Sequence, residues 1–360
     1  MAPGPLRAVI RMELGERGRS VRGVPRADRM SALPILFGAR RCDRGGHVSS
    51  DADQADLDAA LRRCGRIARR RARNFYYGLK LAPEPKRSAL YVLYAWMREA
   101  DDIVDQHLGN DGQRVASRLL EFAERTCRAL EGSWEKDGRE HLWQGLRFLR
   151  ERFGVAEQHF QSMIDGQLRD IEHGEFETFD DLRRYCEMVA SSVGLLCVQI
   201  WGANDARAAI LAIDRGIAFQ LTNILRDYAE DDDLGRVYLP SEDFRRHAIT
   251  PQVLRAWSEP ARCGRFMDEQ IARARSFYAQ SRDLENMIEP DCRPVLEAMT
   301  MIYSSLLEKV AGDPERAISG HRVRLSPWRK FAIAARAARA ARRLRGAAVA
   351  AHAPAAESRG

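Results

Sequence analysis

Q-L-T-N-I-L-R-D-Y-A-E-D, residues 220–231, reads as a helix with one polar edge. Gln220, Asn223, Asp227 and Asp231 follow i, i+3, i+7, i+11, which lines them up along a helix of 3.6 residues per turn. Ile217, Ala218, Leu221, Ile224 and Leu225 fill the remaining faces, so a polar stripe runs down an apolar rod. The same design occurs upstream in Y-A-W-M-R-E-A-D-D-I-V-D, residues 94–105. Asp101 and Asp105 are one turn apart there, and Arg98 shares their face. Ala89, Val92, Leu93, Trp96, Met97, Ala100 and Val104 make an apolar stripe wide enough for a helix buried on most sides. A lone D-x-x-x-D is ordinarily a solvated helix face. Two of them set among Leu, Ile, Val, Trp and Met are not, because burying unpaired carboxylates costs several kcal/mol each and like charges one turn apart repel. A cation between them removes the conflict. Hard Mg²⁺ prefers carboxylate oxygens and is commonly shared with phosphates, so two facing pairs would clamp a diphosphate and draw electrons from an allylic C–O bond.

Outward from these two stretches the chain stays helical. Apolar residues recur at helical spacing from about Asp56 onward, as in Leu57, Leu61, Cys64 and Ala68. Similar patterns cover 113–131, 139–153, 155–173, 180–201, 205–230, 264–287 and 291–311. Thr178 with Asp181 resembles a weak capping pair, Gly202-Ala-Asn204 breaks one helix before the next, and Ser326-Pro327 supplies a cap and an N1 proline. No period-two run or Asn-Gly hairpin interrupts them, which predicts an all-α fold in one catalytic domain over 51–326. Residues 1–50 read as a disordered basic arm or an over-extended start, with ten arginines against four acids. Residues 327–346 read as a basic amphipathic helix, Trp328, Phe331, Ile333 and Leu344 alternating with Arg329, Lys330, Arg336, Arg339, Arg342, Arg343 and Arg345. That pattern fits a membrane-surface anchor, an anionic ligand or a solvated Ala/Arg helix. Residues 347–360 read as a disordered tail.

Composition removes several classes. At 45% hydrophobic and 30% charged, with a mean hydropathy of −0.43, the 360-residue chain can bury a large core but does not resemble an integral membrane protein. Its longest uncharged run, Met188 to Asn204, has 17 residues, short of the ~20 that span a bilayer. Seven scattered cysteines without a C-x-x-C pair exclude a disulfide scaffold or zinc ribbon and suit a reducing cytoplasm. The net charge of +7 invites a nucleic-acid reading. The excess sits at the two ends, however, and a nucleic-acid binder leaves the embedded aspartates unexplained.

At these residues the chain resembles the squalene/phytoene synthase family. The resemblance runs from about Arg69 to Lys330, through R-N-F-Y-Y-G-L-K-L-A-P (73–83), the two aspartate segments, Y-C-E-M-V-A-S-S-V-G-L-L (185–196) and G-R-V-Y-L-P (235–240). In this order and spacing the set is highly specific. It implies an isoprenoid-synthase-type helical bundle around a central apolar cavity, and head-to-head joining of two prenyl diphosphates. It also implies that Asp101, Asp105, Asp227 and Asp231 hold Mg²⁺, with Mn²⁺ as a substitute. Arg98, Asn74, Gln220, Asn223, Arg226, Arg236, Tyr238 and Arg322 fall on positions that hold or support diphosphate. Tyr94, Tyr185 and Tyr303 match tyrosines facing the reacting carbons, where ring faces can stabilise a carbocation and a phenol can take a proton.

Asn74 departs from the family's usual Ser or Thr. Glu187, Met188 and Ser191 replace the two aromatics and glycine of many phytoene synthases. That variation resembles bacterial hopanoid-pathway members and favours two farnesyl diphosphates giving presqualene diphosphate, over two geranylgeranyl diphosphates giving phytoene. NADPH enters only if the reaction runs on to squalene, and no nucleotide fingerprint is visible. The expected setting is cytoplasmic, a monomer or weak homodimer with transient membrane-surface contact and no nucleic acid. A non-catalytic helper of the same fold is the competing reading, but such a protein would be free to lose its aspartates.

Overall fold

The computed structural model describes residues 51–72, 74–105, 112–171, 174–320 and 323–351. Helices α1 (Asp51–Arg71), α2 (Asn74–Leu79), α3 (Lys86–Asp105), α4 (Gly112–Leu130), α5 (Glu140–Phe153) and α6 (Glu157–Ile171) come first. Then follow α7 (Phe179–Cys186), α8 (Ser192–Trp201), α9 (Arg207–Asp233), α10 (Ser241–Arg246), α11 (Pro251–Ala256) and α12 (Pro260–Gln280). The chain closes with α13 (Leu284–Met287), α14 (Arg293–Gly312), α15 (Pro314–Ile318) and α16 (Pro327–Ala351). Among the described residues β-structure is limited to one isolated bridge, Ala203 to Ile288. The expected arm over 1–50 and most of the expected tail lie outside the described residues.

The fold is a helical bundle with two apolar clusters. One gathers side chains of α3 to α6, α8 and α14, including Trp96, Leu119, Trp143 and Phe160. The other gathers α7, α9, α12 and the ends of α14 and α15, including Leu182, Tyr185, Leu225 and Phe266. Helix α9 is the central strut, packed on α8, α12, α14 and the segment before α8. By length and composition alone it could cross a bilayer, yet most of its surface is inside the protein. Its periodicity is as the sequence predicts. Ile217, Ala218, Leu221, Ile224 and Leu225 are buried, while Gln220, Asn223, Asp227 and Asp231 sit half-buried along one edge.

Three expectations change. The helix anticipated over 180–201 is interrupted by a π-helical turn, Glu187–Ser191. Two glycines on flanking helices accept the extra width. A Cβ on Gly166 of α6 would lie 2.4 Å from Val189 Cγ1, and one on Gly216 of α9 would lie 2.6 Å from Ser191 Cα. The helix anticipated over 264–287 ends at Gln280, where buried Ser281 accepts from Arg215 Nε at 2.9 Å. The terminal helix runs past residue 346 to Ala351, and its buried stripe is Ile333, Ala337 and Ala341, packed toward α14 and α2. Trp328 and Phe331 fall on the opposite face, so the four apolar residues named from the sequence do not form a single stripe. The Thr178–Asp181 pair proves stronger than anticipated, a complete capping box with both reciprocal hydrogen bonds at 3.2 Å.

Candidate active site

The first aspartate segment ends α3 and faces α6. Gln167 Nε2 donates to Asp101 Oδ1 at 2.7 Å, tying the two helices together. Arg98 pairs with Asp102, one turn on, and Arg71 of α1 approaches the same carboxylate at 3.5 Å. The sequence had set Arg98 with Asp101 and Asp105; in the structure Asp102 supplies its counter-charge. Tyr94 stands beside this group. Burial raises its phenol pKa, the Arg98 guanidinium opposes that, and the Asp101 carboxylate adds to it. Asn74 opens α2 and Asp105 closes α3, but their side chains, like all of Arg322, lie outside the described residues.

Three residues after Gln167, on the same face of α6, Asp170 reaches toward the second segment. Its carboxylate accepts from Tyr185 Oη at 2.8 Å and from Tyr238 Oη at 3.2 Å. The two phenol rings stack at 5.5 Å, and Phe176 packs on Tyr185 at 5.2 Å. Burial first, and the Asp170 charge second, push the Tyr185 and Tyr238 phenols up, so both stay protonated. Asp170 therefore accepts both phenol hydrogens.

Helix α9 brings the remaining groups. Arg226 grips Asp227 with both forks, Nε donating to Oδ1 at 2.7 Å. Asn223 Nδ2 lies 3.4 Å from Gln220 Oε1, and the phenol of Tyr303 on α14 bonds Asn223. Burial pushes Tyr303 up to about 12 against the pull of Arg226, and its ring stacks on Phe219 at 4.4 Å. Asp231 is pushed up to about 7, first by burial and then by the neighbouring Asp227 and Asp170 carboxylates, with Arg236 pulling the other way. The backbone N–H of Arg236 donates to the Asp231 carbonyl at 2.9 Å, which sets that arginine beside the pair. A recess of about 130 Å³ opens here between Arg169, Asp170, Phe176, Arg236 and Tyr238.

Two buried polar atoms at this place lack a hydrogen-bond partner among the described residues, Asn223 Oδ1 and Arg236 Nε. Such atoms are costly unless something else satisfies them. An oxygen acceptor beside crowded carboxylates suits a hard divalent cation, and a guanidinium N–H suits a phosphate oxygen. Among the described residues no three carboxylates, histidines or cysteines form a ready cage. An ion here would complete its shell with Asn223, water or phosphate oxygens.

Asp170 and Gln167 were missed by the sequence reading. The signal was available, a polar i, i+3 pair on a helix whose Met163, Ile164 and Leu168 are buried. Arg71, which joins Arg98 at Asp102, could not be found that way, because α1 is charged along most of its length.

The chain matches the Squalene/phytoene synthase family model over residues 68–329. It is 32% identical over 282 residues to a phytoene synthase of Arthrospira platensis, covering 74% of this chain and 89% of that protein. It is 32% identical over 290 residues to a 15-cis-phytoene synthase of Synechococcus elongatus, covering 77% and 92%. Among solved structures, a dehydrosqualene synthase superposes with a TM-score of 0.70 at 27% identity, over 79% of this chain and 97% of that one. A squalene synthase of Alicyclobacillus acidocaldarius gives 0.66 at 25% identity, over 72% and 95%. The acidic ends of α3 and α9, read together with these likenesses, assign the chain to the squalene/phytoene synthase family of prenyl-transferring enzymes.

Proposed function

We propose that the protein joins two molecules of farnesyl diphosphate through their C1 ends to give presqualene diphosphate. The observation that carries the reading is that Gln167 and Asp170, one turn apart on α6, stand beside the carboxylates that end α3 and α9. Gln167 bonds Asp101 on one side, and Asp170 crowds Asp231 on the other. Asp101, Asp105, Asn223, Asp227 and Asp231 would hold Mg²⁺, which supplies charge stabilisation for a departing diphosphate when bound. The chain's own residues do the rest. Arg226 and Arg236 present guanidinium N–H groups to diphosphate oxygens. The ring faces of Tyr185, Tyr238 and Tyr303 offer π density to the allylic cation left at C1. The cation adds to the double bond of the second chain, and closure of the cyclopropane releases a proton. A phenol oxygen can take that proton while passing its own hydrogen to the Asp170 carboxylate, which becomes neutral; the departing diphosphate is the other acceptor. Apolar packing around the site keeps water from capturing the cation.

Two observations bear on chain length. The C15 reading is supported by the Glu187, Met188 and Ser191 segment and by the likeness to a dehydrosqualene synthase and a squalene synthase. The second reading, two geranylgeranyl diphosphates to phytoene, is favoured by the phytoene synthases at 32% identity. Purified protein with Mg²⁺ and either substrate, with products identified by mass spectrometry, separates the two. Presqualene diphosphate from the C15 substrate is expected. Phytoene alone, from the C20 substrate alone, establishes the second reading, and no coupling of either substrate overturns both.

A further inference from the structure

Arg215 is a buried charge that the proposed chemistry leaves unused. It lies on α9 upstream of the polar stripe and is 3% exposed. A guanidinium carries five N–H groups, and here each of them meets an oxygen. Nε donates to Ser281 Oγ at 2.9 Å, and Nη2 donates to the Ser281 carbonyl at 2.8 Å and to Glu285 Oε2 at 3.1 Å. Nη1 donates to Glu285 Oε1 and to Thr300 Oγ1, and the Thr300 hydroxyl donates in turn to Glu285 Oε1 at 2.7 Å. One side chain of α9 thus ties down the end of α12, α13 and α14.

Stability alone does not call for this arrangement. A buried ion pair recovers in attraction roughly what it loses in desolvation, so well-packed apolar residues of the same volume hold helices together as firmly. What the pair adds is placement, because a slip of any one helix leaves a buried donor or acceptor bare. The register so fixed runs on toward the polar stripe. One turn along both helices, the Phe219 ring of α9 stacks on the Tyr303 ring of α14 at 4.4 Å. One turn further along α9, Asn223 bonds the Tyr303 phenol. Asn223 Oδ1 has no hydrogen-bond partner among the described residues, so Nδ2 makes that bond and also lies 3.4 Å from Gln220 Oε1. With the amide hydrogens committed, Oδ1 is the atom left to a cation beside Asp227 and Asp231.

We propose that Arg215 is a positioning residue. Through Glu285 and Thr300 it sets the register of α14 against α9, holds the Tyr303 phenol on the Asn223 amide nitrogen, and so keeps Asn223 Oδ1 available to the metal ion. It touches neither substrate nor ion. The inference rests on the metal reading given above for Asn223, Asp227 and Asp231.

Restoring stability without restoring register separates this role from a structural one. Arg215→Met alone leaves Glu285 as an unpaired, mostly buried charge and should melt well below wild type. R215M/E285M removes both charges at similar volume and should bring the melting temperature back toward wild type. Mg²⁺ binding to the full-length protein, measured by calorimetry without substrate, should nevertheless stay about tenfold weaker in that double variant. The Mg²⁺ concentration for half-maximal turnover should rise by a similar factor. Thr300→Val loses only the tie from α14, so it should shift both readings in the same direction with little change in melting. If register acts through the phenol, R215M/E285M should cost little further Mg²⁺ affinity in a Tyr303→Phe background. Wild-type Mg²⁺ affinity in the folded double variant overturns the proposal, as does full additivity with Tyr303→Phe. Should the double variant not fold, wild-type affinity in Thr300→Val overturns it. A wild-type protein that binds no Mg²⁺ withdraws the metal reading itself, and this inference with it.

Discussion

Asp231 carries the most strained electrostatics of the site, a carboxyl pushed up to about 7 because burial and two other carboxylates disfavour its charge. The charge is retained only where a cation offsets it, so the clamp is the first target for substitution. Asp101→Asn and Asp227→Asn each remove one charge at constant shape, and each should lower turnover by orders of magnitude with an unchanged circular dichroism spectrum. Wild-type turnover in either variant at saturating Mg²⁺ would withdraw the metal assignment. Tyr185 separates packing from chemistry. Tyr185→Phe keeps the stack on Tyr238 and Phe176 but deletes the donor to Asp170. A hydrogen bond to a charged acceptor contributes roughly 1.5–3 kcal/mol, so some loss of melting temperature is expected in any case. A phenol that handles a proton predicts in addition a rate loss on the order of 10²-fold, with products unchanged. Altered product ratios would point to cation steering. A variant that only melts lower, at full rate and with the same products, would make Tyr185 a packing residue.

Helices α3 and α9 were legible because their chemistry is periodic. An i, i+3, i+7, i+11 line of polar residues is costly to bury in an apolar helix unless a ligand or ion meets it, and the structure keeps that line half-buried at one edge. What was not legible lies between helices. The Asp170 bridge depends on α6 meeting α7 and the 235–240 segment, and no single-helix period reports that. The π-helical turn at Glu187–Ser191 is likewise decided by its neighbours, which is why the 180–201 pattern reads as one helix. Gly216 tests that account. A Cβ there would lie 2.6 Å from Ser191 Cα and 2.7 Å from Ser191 N, and backbone cannot swing aside as a side-chain tip can. Gly216→Ala should therefore destabilise by about 1–3 kcal/mol, although alanine normally favours a helix interior. It should also disturb turnover, because the turn it displaces follows Tyr185 by only one residue. A variant as stable as wild type would mean that α9 and the turn are not pressed together.

At the scale of the whole molecule, several groups set the response to acid, and they act over different pH ranges. His159 on α6 is pushed down to about 4 by burial, and His141 on α5 is pushed down to about 4 by burial and then by Arg63, from an ordinary value of 6.5. Between 6.5 and 4 the unfolded chain binds these protons and the folded one does not, so stability falls as pH falls through that range. His159 is buried, and its Nε2 has no partner among the described residues, so its share should be on the order of 2–3 kcal/mol. That is a large part of the ~5–15 kcal/mol that holds a domain folded. Asp231 acts in the opposite sense. Its folded value of about 7 lies above the ordinary 3.8, so the fold sheds a charge cost as pH drops from 7 toward 4. The carboxylates of Asp137, Asp181 and Asp243, held below 3.8 by hydrogen bonds and neighbouring arginines, lose their contribution only at still lower pH. Thermal melts from pH 7.5 to pH 3, with a chelator present, resolve these contributions by substitution. His159→Leu should flatten the fall in melting temperature between pH 6.5 and 4 and leave the steeper loss below pH 4 in place. Asp231→Asn should steepen the same fall, because it removes the one group here that gains from acid. If His159→Leu leaves the profile parallel to wild type, the His159 imidazole is already reached by water, and the acid sensitivity of the fold must come from His141 and the carboxylates.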